Sequence, residues 1–147
     1  MSLTITQARD DVYGMVKTAI EASSYTDLKI VWDDVEQELA DTSQADRGGP
    51  DPWLCVEAMH VGGGQTSLGR PSARFTRYGL LRCTIYTPKG LGMSTADEIA
   101  QIVLDAFEGQ SSPRGVWFRN CRLNERGPDG IWRRTDVLID FQYNEQK

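Results

Sequence analysis

Residues 60–70 read HVGGGQTSLGR. A glycine run of this kind either exposes backbone N–H groups to a phosphate or turns the chain between two strands. The two readings give different folds. A phosphate loop joins a strand to the N-terminus of a helix, whose dipole holds the anion. A hairpin joins two antiparallel strands. Residues 75–87, FTRYGLLRCTIYT, decide between them. Leu81, Cys83 and Ile85 fall on one face, and Leu80, Arg82, Thr84 and Tyr86 on the other, the period-two pattern of a strand. Residues 53–61, before the glycines, are also a strand by content. No Lys-Ser or Lys-Thr pair completes a Walker pattern, and GxGxxG is absent. The stretch therefore belongs at the tip of a long β-hairpin.

Working outward, residues 5–22 carry Ile5, Ala8, Val12, Met15, Val16, Ala19 and Ile20 at helical spacing. Thr4 and Gln7 form a capping box at its start. Gly14 weakens this helix by about 1 kcal/mol relative to alanine, unless it lets another element approach closely. Residues 28–32 form a short strand. An acidic stretch, 33–52, follows and ends in the turn-rich GGPDP; so long a loop suits a partner. A second helix is expected over 95–108, with Ser94 as N-cap and Gly109 just past its end. Residues 115–124 and 131–144 form a second hairpin through RGPDG. In its last strand Thr135, Val137, Ile139, Phe141 and Tyr143 face one way. Arg134, Asp136, Asp140 and Gln142 face the other, with Leu138 the exception. The sum is a single α+β domain over 1–147 in two layers. A mainly antiparallel sheet carries two amphipathic helices on one face, in the order α-β-β-β-α-β-β.

Composition narrows the function. The 147 residues are 25% charged and 39% hydrophobic, with a net charge of −5, which argues against dedicated nucleic-acid binding. No apolar run approaches the ~20 residues that span a bilayer, and no signal-peptide pattern opens the chain. Cys55, Cys83 and Cys121 are odd in number and dispersed, the usage of a reduced, cytosolic protein with buried thiols. Charge is unevenly spread. Residues 27–51 hold eight acidic residues against Lys29 and Arg47, whereas residues 70–89 hold five basic residues and no acidic one. Residues 114–134 hold six arginines against Glu125 and Asp129. Such blocks either form a solvated surface or meet unlike patches on a neighbouring subunit.

No residue set here supports catalysis, a cofactor or a metal. His60 is the only histidine and has no matched serine or cysteine motif; GxSxG is absent. One histidine and scattered cysteines make a poor zinc site. Asp33, Asp34, Glu36, Glu38 and Asp41 offer carboxylates for a metal-dependent nuclease, but in a polar loop where solvated charge is the simpler reading. The PKGLGMS turn before the second helix is a weak anion site at best. The hairpin tip is either an idle exposed loop or a contact surface. In the latter, Leu68 provides an anchor, and Gln65, Thr66, Ser67, Arg70 and Arg74 a hydrogen-bonding rim for an oligomer or tube partner.

Taken in order, several segments carry a family resemblance: ITQARDDVYGMV, PWLCVEAMHVG, GGQTSLG, the run from RFTRYGLL through YTPKGLGMSTADEIAQIVLDAFEG, and VWFRNCRLNERGPDGIWRRTDVLIDFQYNE. The chain resembles, over nearly its whole length, the tail terminator proteins of long-tailed phages, including a set of phage-related proteins of unknown function. The resemblance implies an α+β subunit of a homo-oligomeric ring, usually hexameric. Such a ring caps the tail tube, stops its polymerisation and presents the head-joining surface to a head–tail connector. It implies a place at the head-proximal end of the virion tail after assembly in the host cytoplasm. DNA would pass through the lumen without specific binding, and no membrane, cofactor or catalytic residue is implied. The acidic 33–51 stretch departs most from the pattern. A head–tail connector or other neck protein is the neighbouring alternative.

Overall fold

The computed structural model describes residues 2–32, 51–67, 69, 73–90 and 92–147. Helix α1 spans Ile5–Glu21. Its capping box is formed as expected: the Thr4 hydroxyl accepts from the Gln7 N–H, and the Gln7 side chain accepts from the Thr4 N–H. Strand β1 is Lys29–Trp32, β2 Trp53–Gln65 and β3 Arg74–Pro88. Helix α2 spans Ser94–Phe107, and strands β4, Trp117–Asp129, and β5, Trp132–Gln146, complete the chain. The order is α-β-β-β-α-β-β.

The strands make one open sheet of five, in the spatial order β1-β2-β3-β5-β4. β1 runs parallel to β2; every other pair is antiparallel. Alternation along each strand assigns the faces. Leu54, Val56 and Ala58 of β2, Leu81, Cys83 and Ile85 of β3, and Val137, Ile139, Phe141 and Tyr143 of β5 are buried on one face. Ala8, Val12, Val16 and Ile20 of α1 and Ile99, Ala100, Val103 and Phe107 of α2 pack onto them. The other face carries a small aromatic cluster. Trp53 stacks on Tyr86 at 4.0 Å, and Trp132 meets both edge-on.

Three local expectations shift. Gly62, Gly63 and Gly64 lie inside β2, not at the tip, because β3 supplies ladder partners: Gly62 faces Tyr78, Gly63 faces Arg77 and Gly64 faces Thr76. A bulge between His60 and Gly62 absorbs the irregularity. Ser94 is the first helical residue; Met93 occupies the N-cap and gives no side-chain hydrogen bond. In RGPDG, residues 126–129 are β4, and the turn is the pair Gly130–Ile131. Gly130 has φ 62°, which lets two residues close the hairpin with the right twist.

The helix layer also seals a sheet edge. β1 covers β2 only as far as Val56. At the next outward position, Ala58, α1 takes over: the Tyr13 hydroxyl accepts from the Ala58 N–H, and Arg9 donates to the Ala58 carbonyl. At the far end of the sheet, Ala73 and Lys147 exchange backbone hydrogen bonds of 2.8 and 2.9 Å. Leu3 adds a backbone bond to Asn144.

Candidate functional site

The β2–β3 hairpin projects past the start of β4: its ladder runs to Gln65 opposite Phe75, whereas β4 begins opposite Gln142. Four of the six residues expected at a contact are described there, namely Gln65, Thr66, Ser67 and Arg74; Leu68 and Arg70 lie outside the described residues. The tip is tied to itself. The Gln65 amide donates to the Ser67 carbonyl at 2.7 Å. The Ser67 hydroxyl accepts from the Arg74 N–H, and both the N–H and hydroxyl of Thr66 donate to the Arg74 carbonyl. The described residues on either side of the tip, Gln65, Thr66, Ser67 and the Arg74 backbone, are thus already bonded to one another, which lowers the ordering cost of a contact made through them. The Arg74 guanidinium is the exception: it forms no ion pair among the described residues.

At the hairpin's base sits His60, half-buried on the helix face. Its Nε2 meets the Tyr143 hydroxyl at 2.7 Å, and its Nδ1 lies 3.4 Å from Arg9. Phe141 packs edge-on against the ring. Burial first, then Arg9 and Arg77, push the His60 pKa down. This is a packed, hydrogen-bonded histidine that joins α1 to the sheet.

The basic stretches of the sequence are largely neutralised in space. Arg77 pairs with Glu145, Arg82 with Glu57, Arg114 with Asp11, Arg122 with Asp140, Arg126 with Asp136 and Arg134 with Asp129. Arg119 lies over the Tyr78 ring. Asp136 is buried, and it also accepts from Thr84 at 2.8 Å. Among the described arginines of those stretches, Arg74 and Arg133 are left without such a partner. A patch counted along the chain is therefore not a patch on the surface.

Comparison with known proteins adds the fold and little more. No family model and no curated protein matches the chain. One solved structure aligns over 96% of this chain and 96% of its own, with a TM-score of 0.69 at 12% identity. The fold recurs elsewhere. A second, from the virion of a native gene transfer agent particle, aligns over 91% of this chain and 92% of its own at 16% identity, with a TM-score of 0.49.

The remaining expected sites divide simply. Asp33, Asp34, Glu36, Glu38 and Asp41 lie outside the described residues. Among the described residues no group of three or more His, Cys, Asp or Glu side chains is placed to hold a metal. No helix among them is long and apolar enough to cross a membrane. Cys55, Cys83 and Cys121, on β2, β3 and β4, form no disulfide; only Cys83 is buried as expected, the other two being half-buried, and burial pushes the Cys83 thiol well above its usual range. One feature was signalled only by Gly14. A groove of about 470 Å³ lies along α1, lined by Asp10, Asp11, Gly14, Met15, Ala19, Ala106 and Pro113 among others.

Proposed function

We propose that this protein is a structural component of a phage-type virion, and within it a tail terminator. Its copies form a ring that caps the tail tube, halts polymerisation and offers the head-joining surface. The observation that carries the reading is the agreement between motif order and fold. Each motif behind the terminator resemblance occupies an element of the α-β-β-β-α-β-β chain, from ITQARDDVYGMV on α1 to the closing GPDGIWRRTDVLIDFQY of β4 and β5. The GGQTSLG motif, in turn, includes the end of β2 and the start of the projecting tip. A tip that projects past the start of β4, with Thr66 and Ser67 tied to Arg74, is suited to docking, because little ordering entropy is lost when they bind. The contact residues proposed here are Gln65, Thr66, Ser67 and Arg74, together with Leu68 and Arg70.

The test is assembly. Light scattering and negative-stain imaging of the purified chain, alone and with tail tubes, are expected to give closed rings or capped tube ends. A strictly monomeric chain that ignores tube ends would sink the reading.

A further inference from the structure

Helix α1 has two flanks. On one, Arg9 and Tyr13 hold the edge of β2, and Arg9 reaches His60 at the base of the hairpin. On the other, Asp11 accepts from Ser112 at 2.8 Å and pairs with Arg114 at 3.1 Å, fixing the α2–β4 connection. The groove lies on this second flank. Its lining is mostly apolar, and Gly14 keeps it open: a Cβ there meets nothing within 4 Å. Of its two carboxylates, Asp11 is already paired, but Asp10 is exposed and forms no ion pair among the described residues.

The hairpin presents the complement. Val61 is 67% exposed, more than any other large hydrophobic side chain among the described residues. Arg74 is an exposed cation with no ion pair among them. The hairpin thus offers one exposed apolar side chain at the bulge and, four residues farther out along β3 (about 13 Å), a spare cation; the groove offers an apolar lining and a spare carboxylate. Because the hairpin is locked into the sheet through Phe75 and Glu145, a chain cannot swing its own tip across α1 into its own groove.

We propose that the flank of the β2–β3 hairpin of one copy of this chain seats on the α1 groove of the next, with Val61, at the hairpin's base, against the apolar wall and Arg74, farther out, at Asp10. The contact joins two different patches, so it propagates head to tail and closes into a ring where the rotation allows. The proposal rests on the assembly reading above for its setting, while its residues follow from the two surfaces themselves.

Sedimentation of the full chain across a concentration series, with imaging on tail tubes, tests it through four variants. Asp10→Arg and Arg74→Asp each set like charges together and are expected to weaken self-association about tenfold. The two changes in one chain should restore it to within about threefold of wild type. Gly14→Leu adds a side chain in open space on a helix, so its melting temperature should hold or rise, while assembly is lost. Rings that tolerate Gly14→Leu, or a combined reversal that stays as weak as the singles, would overturn this contact and leave the terminator reading intact. If Gly14→Leu abolishes only tube binding, the groove belongs to a tube protein and self-docking is wrong. A chain that is monomeric at every concentration and on tube ends overturns both.

Discussion

Single residues carry opposite consequences that depend on what stands beside them. Gly79 and Gly14 are both glycines within regular elements. A Cβ on Gly79 would lie 2.1 Å from the Phe141 ring, and that ring is fixed against His60 and Tyr143. Gly79→Ala should therefore cost about 1–3 kcal/mol, visible as a lower denaturant midpoint. Gly14→Ala enters open space on a helix and should add about 1 kcal/mol. The opposite signs test the packing directly; equal effects would refute it. His60 gives a pH signature. Its folded pKa lies below the usual value, so as pH falls the unfolded chain takes up the proton first. Stability is full above the unfolded value of about 6.5 and is lost as pH falls through the folded one. Thermal melts near pH 7.5 and near pH 5.5 should differ more for wild type than for His60→Gln. Equal drops would mean that other groups govern the loss.

At the scale of elements, local chemistry was legible where one segment decides its own structure. The Thr4–Gln7 box and the alternation of β5 took the places their spacing dictates, and Ala8, Val12, Val16 and Ile20 of the α1 stripe are buried, whereas Ile5 in the first turn is exposed and Met15 and Ala19 are only partly buried. Thr4→Ala should cost about 1 kcal/mol by freeing the first-turn N–H groups, readable in the melting temperature. What stayed hidden depends on partners distant in sequence. The glycine run reads as a turn, yet the register with β3 keeps Gly62–Gly64 in the ladder. The arginine runs read as basic patches, yet Arg126 meets Asp136 and Arg77 meets Glu145 only after β4, β5 and β3 align. The edge cover is a further case. Nothing in DDVYGM announces that Tyr13 caps the Ala58 N–H. Tyr13→Phe should leave that group without its partner and cost about 1 kcal/mol, with faster hydrogen exchange at Ala58 as the local readout. Of the candidate site, the sequence pointed to the β2–β3 hairpin, and at Gly14 it offered a close approach as one reading; the structure leaves open space there, and no element of this chain fills it among the described residues.

For the whole molecule, the question is whether the tip serves the fold or only what the fold docks to. Its internal bonds are short in sequence: Gln65 to Ser67, Thr66 to Arg74 and Ser67 to Arg74. The structure around it is held by long-range pairing instead, from the Gln65–Phe75 and Phe75–Glu145 ladder to the Ala73–Lys147 exchange. Replacing Gln65 to Leu68 with a short Gly-Ser turn should therefore leave the monomer folded, with melting lowered by about 1–2 kcal/mol of lost local bonds at most. Assembly should suffer much more, since a flexible turn must be ordered again on docking and presents a different shape. This replacement keeps Val61 and the α1 groove but removes the Thr66 and Ser67 side-chain bonds to the Arg74 backbone, so it probes the tip together with the Arg74 end of the groove contact, whereas Gly14→Leu probes the groove alone. Raising salt to about 1 M, where the Debye length falls to about 3 Å, should also weaken association if Arg74 and Asp10 form an exposed ion pair. The decisive comparison is light scattering and tube-end binding for the turn variant against wild type. A folded variant with weakened rings places the contact at the tip and its Arg74 end. Unchanged rings and unchanged tube binding would mean that residues 65–68 are only a loop, and that the projecting hairpin acts through its strands.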